Sequence, residues 1–163
     1  MKYIAIVLTS LMLGVLGHAS SNDQALWGKS DYGMTIEQVL EAFPDATMNP
    51  NNSNSDDGIV IISDLKVGIH ECEVHFFIGL RGLYLVKLEP QKPNNSTFIA
   101  LEKLLRLKYG KPVSIRDLVN IKLHTREWYD APRTVRIAFL DQVDNKKLSI
   151  VYTHEKQDAI NSL

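Results

Sequence analysis

Cysteine is nearly absent: the 163 residues contain one, Cys72. In an oxidising compartment that excludes an internal disulfide, so the fold must stand on its core alone. Positive charge is not in excess either, with 18 Lys and Arg against 19 Asp and Glu. Such a balance provides no electrostatic footprint for a phosphate backbone, and nucleic acid is set aside as a partner. The nine glycines are scattered at turns and form no phosphate-binding loop, so no cofactor is expected. The uninterrupted apolar run from Tyr3 to Leu16 falls short of the roughly 20 residues of a membrane span. Gly-x-Ser-x-Gly, His-Glu-x-x-His and the flanks of a cysteine-protease signature around Cys72 are missing as well.

What is present begins with an export pattern. Lys2, the apolar run and the small-x-small Gly17-His18-Ala19 read as a signal peptide over residues 1–19, leaving 20–163 as a single domain that starts near Ser20. This points to a periplasmic or secreted protein, a Gram-negative periplasm fitting best. No Cys stands at the cleavage point, so no stable membrane anchor is expected once the signal is gone. With 45% hydrophobic residues the chain can build a real core.

Tyr32 to Ala46 carries a short amphipathic helix with its boundaries written in. Thr35 can cap, Gln38 sits where a capping box returns the bond, and Ile36, Val39, Leu40 and Phe43 fall on one stripe before Pro44. A helix this short needs a sheet to cover. Strands are expected over Gly58–Asp64, Lys66–Ile78 and Gly82–Glu89, a helix over Thr97–Tyr109 ended by Gly110 and Pro112, and strands over Ile121–Tyr129, Thr134–Leu140 and Leu148–Tyr152. Between Ser20 and Lys29 the chain reads as an arm pinned by Trp27. Asn49–Asp57 reads as a solvated loop. The order predicts an α+β fold: two helices packed on one face of an antiparallel meander sheet, with two similar helix-strand-strand-strand halves as a possible plan.

At MTIEQVLEAFP, residues 34–44, and the strands that follow, the chain resembles the small exported modules grouped around the β-lactamase-inhibitor protein and the outer-membrane β-barrel assembly lipoprotein. The resemblance implies a role in binding another protein. It transfers no functional residue, and the lipoprotein's N-terminal Cys has no counterpart here.

Two places could carry chemistry. On a strand, His70 and Cys72 fall with Val74, Phe76 and Ile78, while Glu71, Glu73 and His75 share the other face. Each set has too few ligands for zinc unless a distant His124 or His154 helps, so the residues are read as an ordinary sheet face with no metal site. The second place is the hairpin from Ile121 to Leu140. If Asp130-Ala131-Pro132 form a three-residue loop, Leu123 lies opposite Phe139 and Thr125 opposite Ile137. One face then gathers Ile121, Leu123, Val135, Ile137 and Phe139. The opposite one shows Lys122, His124, Arg126, Trp128, Thr134 and Arg136. Trp128, Arg126, Arg136, His124 and Lys122 together have the composition of a partner-binding hot spot, unless a one-residue change of register buries the Trp. The expectation is therefore an exported, non-enzymatic protein-binding module, such as an inhibitor, immunity or envelope-assembly factor. A small periplasmic hydrolase without a local motif is the alternative.

Overall fold

The structure, a computed structural model, describes residues 24–49 and 58–155. The signal-peptide reading, most of the Asn-rich loop and the polar tail lie outside the described residues. Strands β1 (Ala25–Trp27) and β2 (Ser30–Asp31) form a small hairpin, followed by helix α1 (Ile36–Ala42). Then come β3 (Thr47–Met48), β4 (Gly58–Val67), β5 (His70–Gly79), β6 (Gly82–Pro90) and helix α2 (Asn95–Tyr109). The chain closes with β7 (Ser114–Leu118), a 3-10 turn (Val119–Ile121), β8 (Leu123–Asp130), β9 (Arg133–Gln142) and β10 (Asn145–His154). This is an α+β fold whose main sheet has eight antiparallel strands in the order β3-β4-β5-β6-β10-β9-β8-β7.

The local signals at the first helix act as their chemistry requires. Thr35 accepts from the Gln38 amide, and the Gln38 side chain accepts from the Thr35 amide at 2.8 Å, a complete capping box. Phe43 ends the helix and joins the core, its ring 5.0 Å from Phe76 and stacked at 5.7 Å on Trp27. Trp27 thereby pins the arm, as the sequence suggests. The second helix starts earlier than expected because Asn94 caps it through the Thr97 amide, and it stops at Gly110, whose φ is +79°.

Three strand assignments change. The break placed at Leu65 falls instead at the turn Gly68-Ile69, because the irregularity between Ile62 and Leu65 is a bulge that the strand runs through. Gly68, at φ +62°, allows the turn that follows. β7 was not expected at all: its Ser-Ile-Arg-Asp-Leu is mostly exposed and lacks clean alternation, yet it pairs with β8 over five residues. The last strands extend beyond their expected ends, so that Asn145 already pairs with Gln142 across the turn.

The core lies on the face of the main sheet that carries Val60, Val74, Phe76, Val86, Ile150, Ile137 and Phe139, all buried. Cys72 lies in it as a free thiol, which burial pushes up to about 11, and it behaves as a small hydrophobe.

Candidate functional site

β8 and β9 carry the residues expected to meet a partner, and their register decides which of them share a face. Asp130 pairs with Arg133 across a two-residue loop, Ala131-Pro132, whose peptide bond is cis. His124 therefore lies opposite Phe139, Arg126 opposite Ile137 and Trp128 opposite Val135. This is one residue away from the expected register, and a one-residue slip sends a whole strand's side chains to the other face. Trp128, Arg126 and His124 share the core face. Arg136 stays on the outer face, and Lys122, at φ +51°, follows the 3-10 turn at the end of the sheet. The five residues do not form one patch.

Each of the three residues on the core face has a polar or aromatic partner. Trp128 is 1% exposed, and its Nε1 donates to the Gly110 carbonyl at 2.9 Å. The Arg126 guanidinium lies 5.6 Å from the centre of the Phe98 ring. Its Nη1 is 2.8 Å from Asp117 Oδ1 and its Nε 3.3 Å from Glu102 Oε1, which also meets Arg106 at 2.6 Å. His124 Nδ1 lies 2.8 Å from Asp117 Oδ1. Arg126, then His124, holds the Asp117 carboxyl below its ordinary range. This seam ties α2 to β8 and β7, so its charges are largely spoken for within the molecule.

The outer face of the sheet is a different surface. Following the register, His75, Lys87, Val151, Arg136, Glu127 and Ser114 lie in one row across six strands. A neighbouring row runs through Phe77, Leu85, Thr153, Thr134 and Tyr129. Except for Arg136 and Tyr129, which are exposed, these side chains are partly exposed. Arg136 meets Glu127 at 2.7 Å. At the other side His75 Nε2 lies 2.8 Å from Glu73 and 3.3 Å from Glu89, and Lys87 reaches Glu89 at 3.0 Å. The angles at His75 Nε2 fall short of a well-aligned hydrogen bond to either carboxylate. The sequence placed Glu73 and His75 together. It missed Lys87 and Glu89, although the two-residue connection between Gly79 and Gly82 brings β6 residues of the same facing alongside.

The His75 ring, first, and Lys87 hold Glu89 down to about 2 from an ordinary value of 4.5, against burial that works the other way. A carboxylate lowered in the folded state stabilises fully above its unfolded value and loses that contribution as pH falls through the folded one. Unfolding midpoints are thus expected to decline between about pH 4.5 and pH 2. Glu89→Gln should remove part of that decline, read as the difference between wild-type and variant urea titrations at several pH values. An unchanged acid limb would show that the cluster does not couple to folding.

A hollow of about 210 Å³ opens beside the start of α2, lined among others by Ile69, His70, Glu71, Gln91, Lys92 and Thr97. His70 Nε2 is shielded there without a partner among the described residues. Also among the described residues, no three His, Cys, Asp or Glu side chains are grouped to hold a metal ion. No family model, curated protein or solved structure matches this chain.

Proposed function

We propose that this protein is an exported, periplasmic, non-enzymatic module that binds another protein, as an inhibitor, immunity or envelope-assembly factor does, and that it binds through the outer face of its main sheet. The observation that carries the reading is the breadth of that face. At about 4.8 Å between strands and about 3.3 Å per residue, eight strands of two to ten residues span on the order of 1000 Å², above the roughly 800 Å² per partner of a stable interface. Partly exposed Phe77, Leu85, Val151 and Leu140 supply apolar area, and the Arg136–Glu127 and Lys87–Glu89 pairs supply a polar frame.

The architecture enters this reading as a duplication. Against the plan of a helix and three strands per half, α1 precedes four strands of the main sheet, β3 to β6, and α2 precedes another four, β7 to β10, with β6 paired to β10. Phe43 of the first helix segment meets Phe76, while Phe98 of α2 stacks at 5.5 Å on Phe139. Pairing links Phe76 through Val86, Tyr152 and Val135 into the face that holds Phe139. With both helices on that side, the outer face is left to a partner, in keeping with the resemblance of the helix-start pattern to exported protein-binding modules.

The test is affinity capture from the envelope fraction with wild type and a Val151→Arg, Arg136→Glu double variant. The wild type is expected to start near Ser20 and to retain a partner. The variant should lose it by at least about 2 kcal/mol, some thirtyfold, while melting within a few degrees of wild type. Equal capture by both would remove the outer face from consideration, and an intact Met1 on the exported protein would refute the signal-peptide reading.

A further inference from the structure

One end of the main sheet differs from the other. The row Val74, Leu88, Ile150, Ile137, Arg126 and Ile115 crosses six strands in register. Beyond it in one direction the chain turns at Gly68-Ile69, at Val143-Asp144 and through Val119–Ile121. Counted from that row, Ile69 lies five residues on, Val143 six along β9 and Val119 four. The three turns are thus level to within about two residues, or roughly 7 Å of strand. Each apex presents an aliphatic side chain to solvent, Ile69 at 92%, Val143 at 83% and Val119 at 82% exposure.

A single exposed aliphatic residue is ordinary. Three at the apices of successive turns on one rim are arranged in a way that a protein interface does not need. From the strand order, the apices stand about 14 Å and 10 Å apart, too far to merge into one apolar patch, yet each can sink separately into a fluid. Charge at the same rim points the same way. Lys66, Lys92, Lys122 and Lys147 are exposed and, among the described residues, form no ion pair, whereas Lys146 meets Asp141 at 2.9 Å. Glu71, Asp117, Asp141 and Asp144 are the carboxylates at this rim, and the five lysines outnumber them in a chain whose net charge is −1. The opposite rim has hairpin apices at Leu80-Arg81 and Ala131-Pro132, of which Leu80 alone presents a large aliphatic side chain.

We infer that the Ile69–Val143–Val119 rim is a peripheral docking surface for an anionic lipid bilayer. Apolar apices enter the headgroup boundary while Lys66, Lys92, Lys122 and Lys147 lie against lipid phosphates, the combination that gives reversible surface binding. The hollow beside Ile69, with His70 and Lys92 in its wall, opens at this same rim and offers room for a headgroup. This inference uses a different surface from the proposed protein-binding face and stands independently of it.

The test places a reporter at the apices of the full chain. Ile69→Trp and Val143→Trp, with Leu80→Trp at the opposite rim as control, are mixed with phosphatidylcholine vesicles with and without phosphatidylserine, their acyl chains brominated to quench nearby indoles. Trp27 and Trp128 supply a constant background. Quenching is expected at positions 69 and 143, only on the anionic vesicles and not at position 80. Replacing the four lysines by Gln in the same reporters should weaken the partitioning at least about tenfold. Absent quenching at 69 and 143, equal quenching at 80, or insensitivity to the lysines would each overturn the inference. All substituted side chains are exposed, and thermal melts confirm that the variants fold before vesicles are added.

Discussion

Trp128→Ala is expected to lower the unfolding free energy by about 3 to 5 kcal/mol, the range for truncating a large buried aromatic. For a domain of this size that corresponds to a fall in Tm on the order of 10 °C. The ring is fully enclosed opposite Val135, beneath the C-terminal end of α2, and its removal leaves a void that the sheet backbone cannot close. It also deletes the Nε1 donor to the Gly110 carbonyl, the contact that holds the end of the helix against β8. Trp128→Phe separates the two contributions, since it keeps most of the apolar volume and loses the donor, and should cost clearly less. Partner capture by either variant should fall only in step with its unfolded fraction. A Tm unchanged by Trp128→Ala would mean that the ring faces solvent and that β8 sits in the alternative register.

Gly82→Ala is expected to cost about 3 kcal/mol, from one to two for the backbone conformation and up to about one for each of two main-chain hydrogen bonds. Gly82 has φ +88°, and a Cβ there would lie 2.2 Å from the Gly33 carbonyl oxygen and 2.8 Å from its Cα. These obstacles are backbone atoms, so no rotamer relieves the overlap. At this place the Gly33 amide donates to the Leu83 carbonyl, and the Leu83 amide donates to the Met34 carbonyl, each at 2.8 Å. The approach joins the segment before α1 to the start of β6, and Ala must force the two apart. Gly110→Ala is the matched control: φ is +79°, but nothing lies within 4 Å of the added carbon. Its cost should be confined to the conformational part, about 1 to 3 kcal/mol for a backbone at φ +79° and ψ −148° that glycine almost alone adopts. Equal urea midpoints for the two variants would show that the Gly33–Leu83 tie contributes nothing beyond backbone strain.

The parts of this fold legible in the sequence are those decided within one turn of helix or a few residues of strand. Thr35 and Gln38 cap because their oxygens reach amides three residues away. Gly110 stops α2 because it adopts a backbone conformation that costs other residues energy. On β5, strict alternation from Cys72 to Ile78 assigned the faces correctly, since one set of side chains is apolar throughout.

β8 offers no such contrast. Leu123, Thr125, Glu127 and Tyr129 alternate with His124, Arg126 and Trp128, so both faces mix apolar and polar groups and a period of two fits either register. By itself, then, the sequence determined where the first helix begins and ends, where the second stops, which face β5 buries and that antiparallel strands follow. Only the tertiary structure decided the β8–β9 register and the burial of Trp128. Arg126 can turn inward because Glu102, 24 residues earlier on α2, and Asp117 on the unforeseen strand β7 meet its guanidinium there. The close passage of Gly33 over Gly82 is of the same kind. Such choices rest on partners that the chain brings together only after long loops close, and no local spacing encodes the charge or carbonyl that will be waiting on the other side.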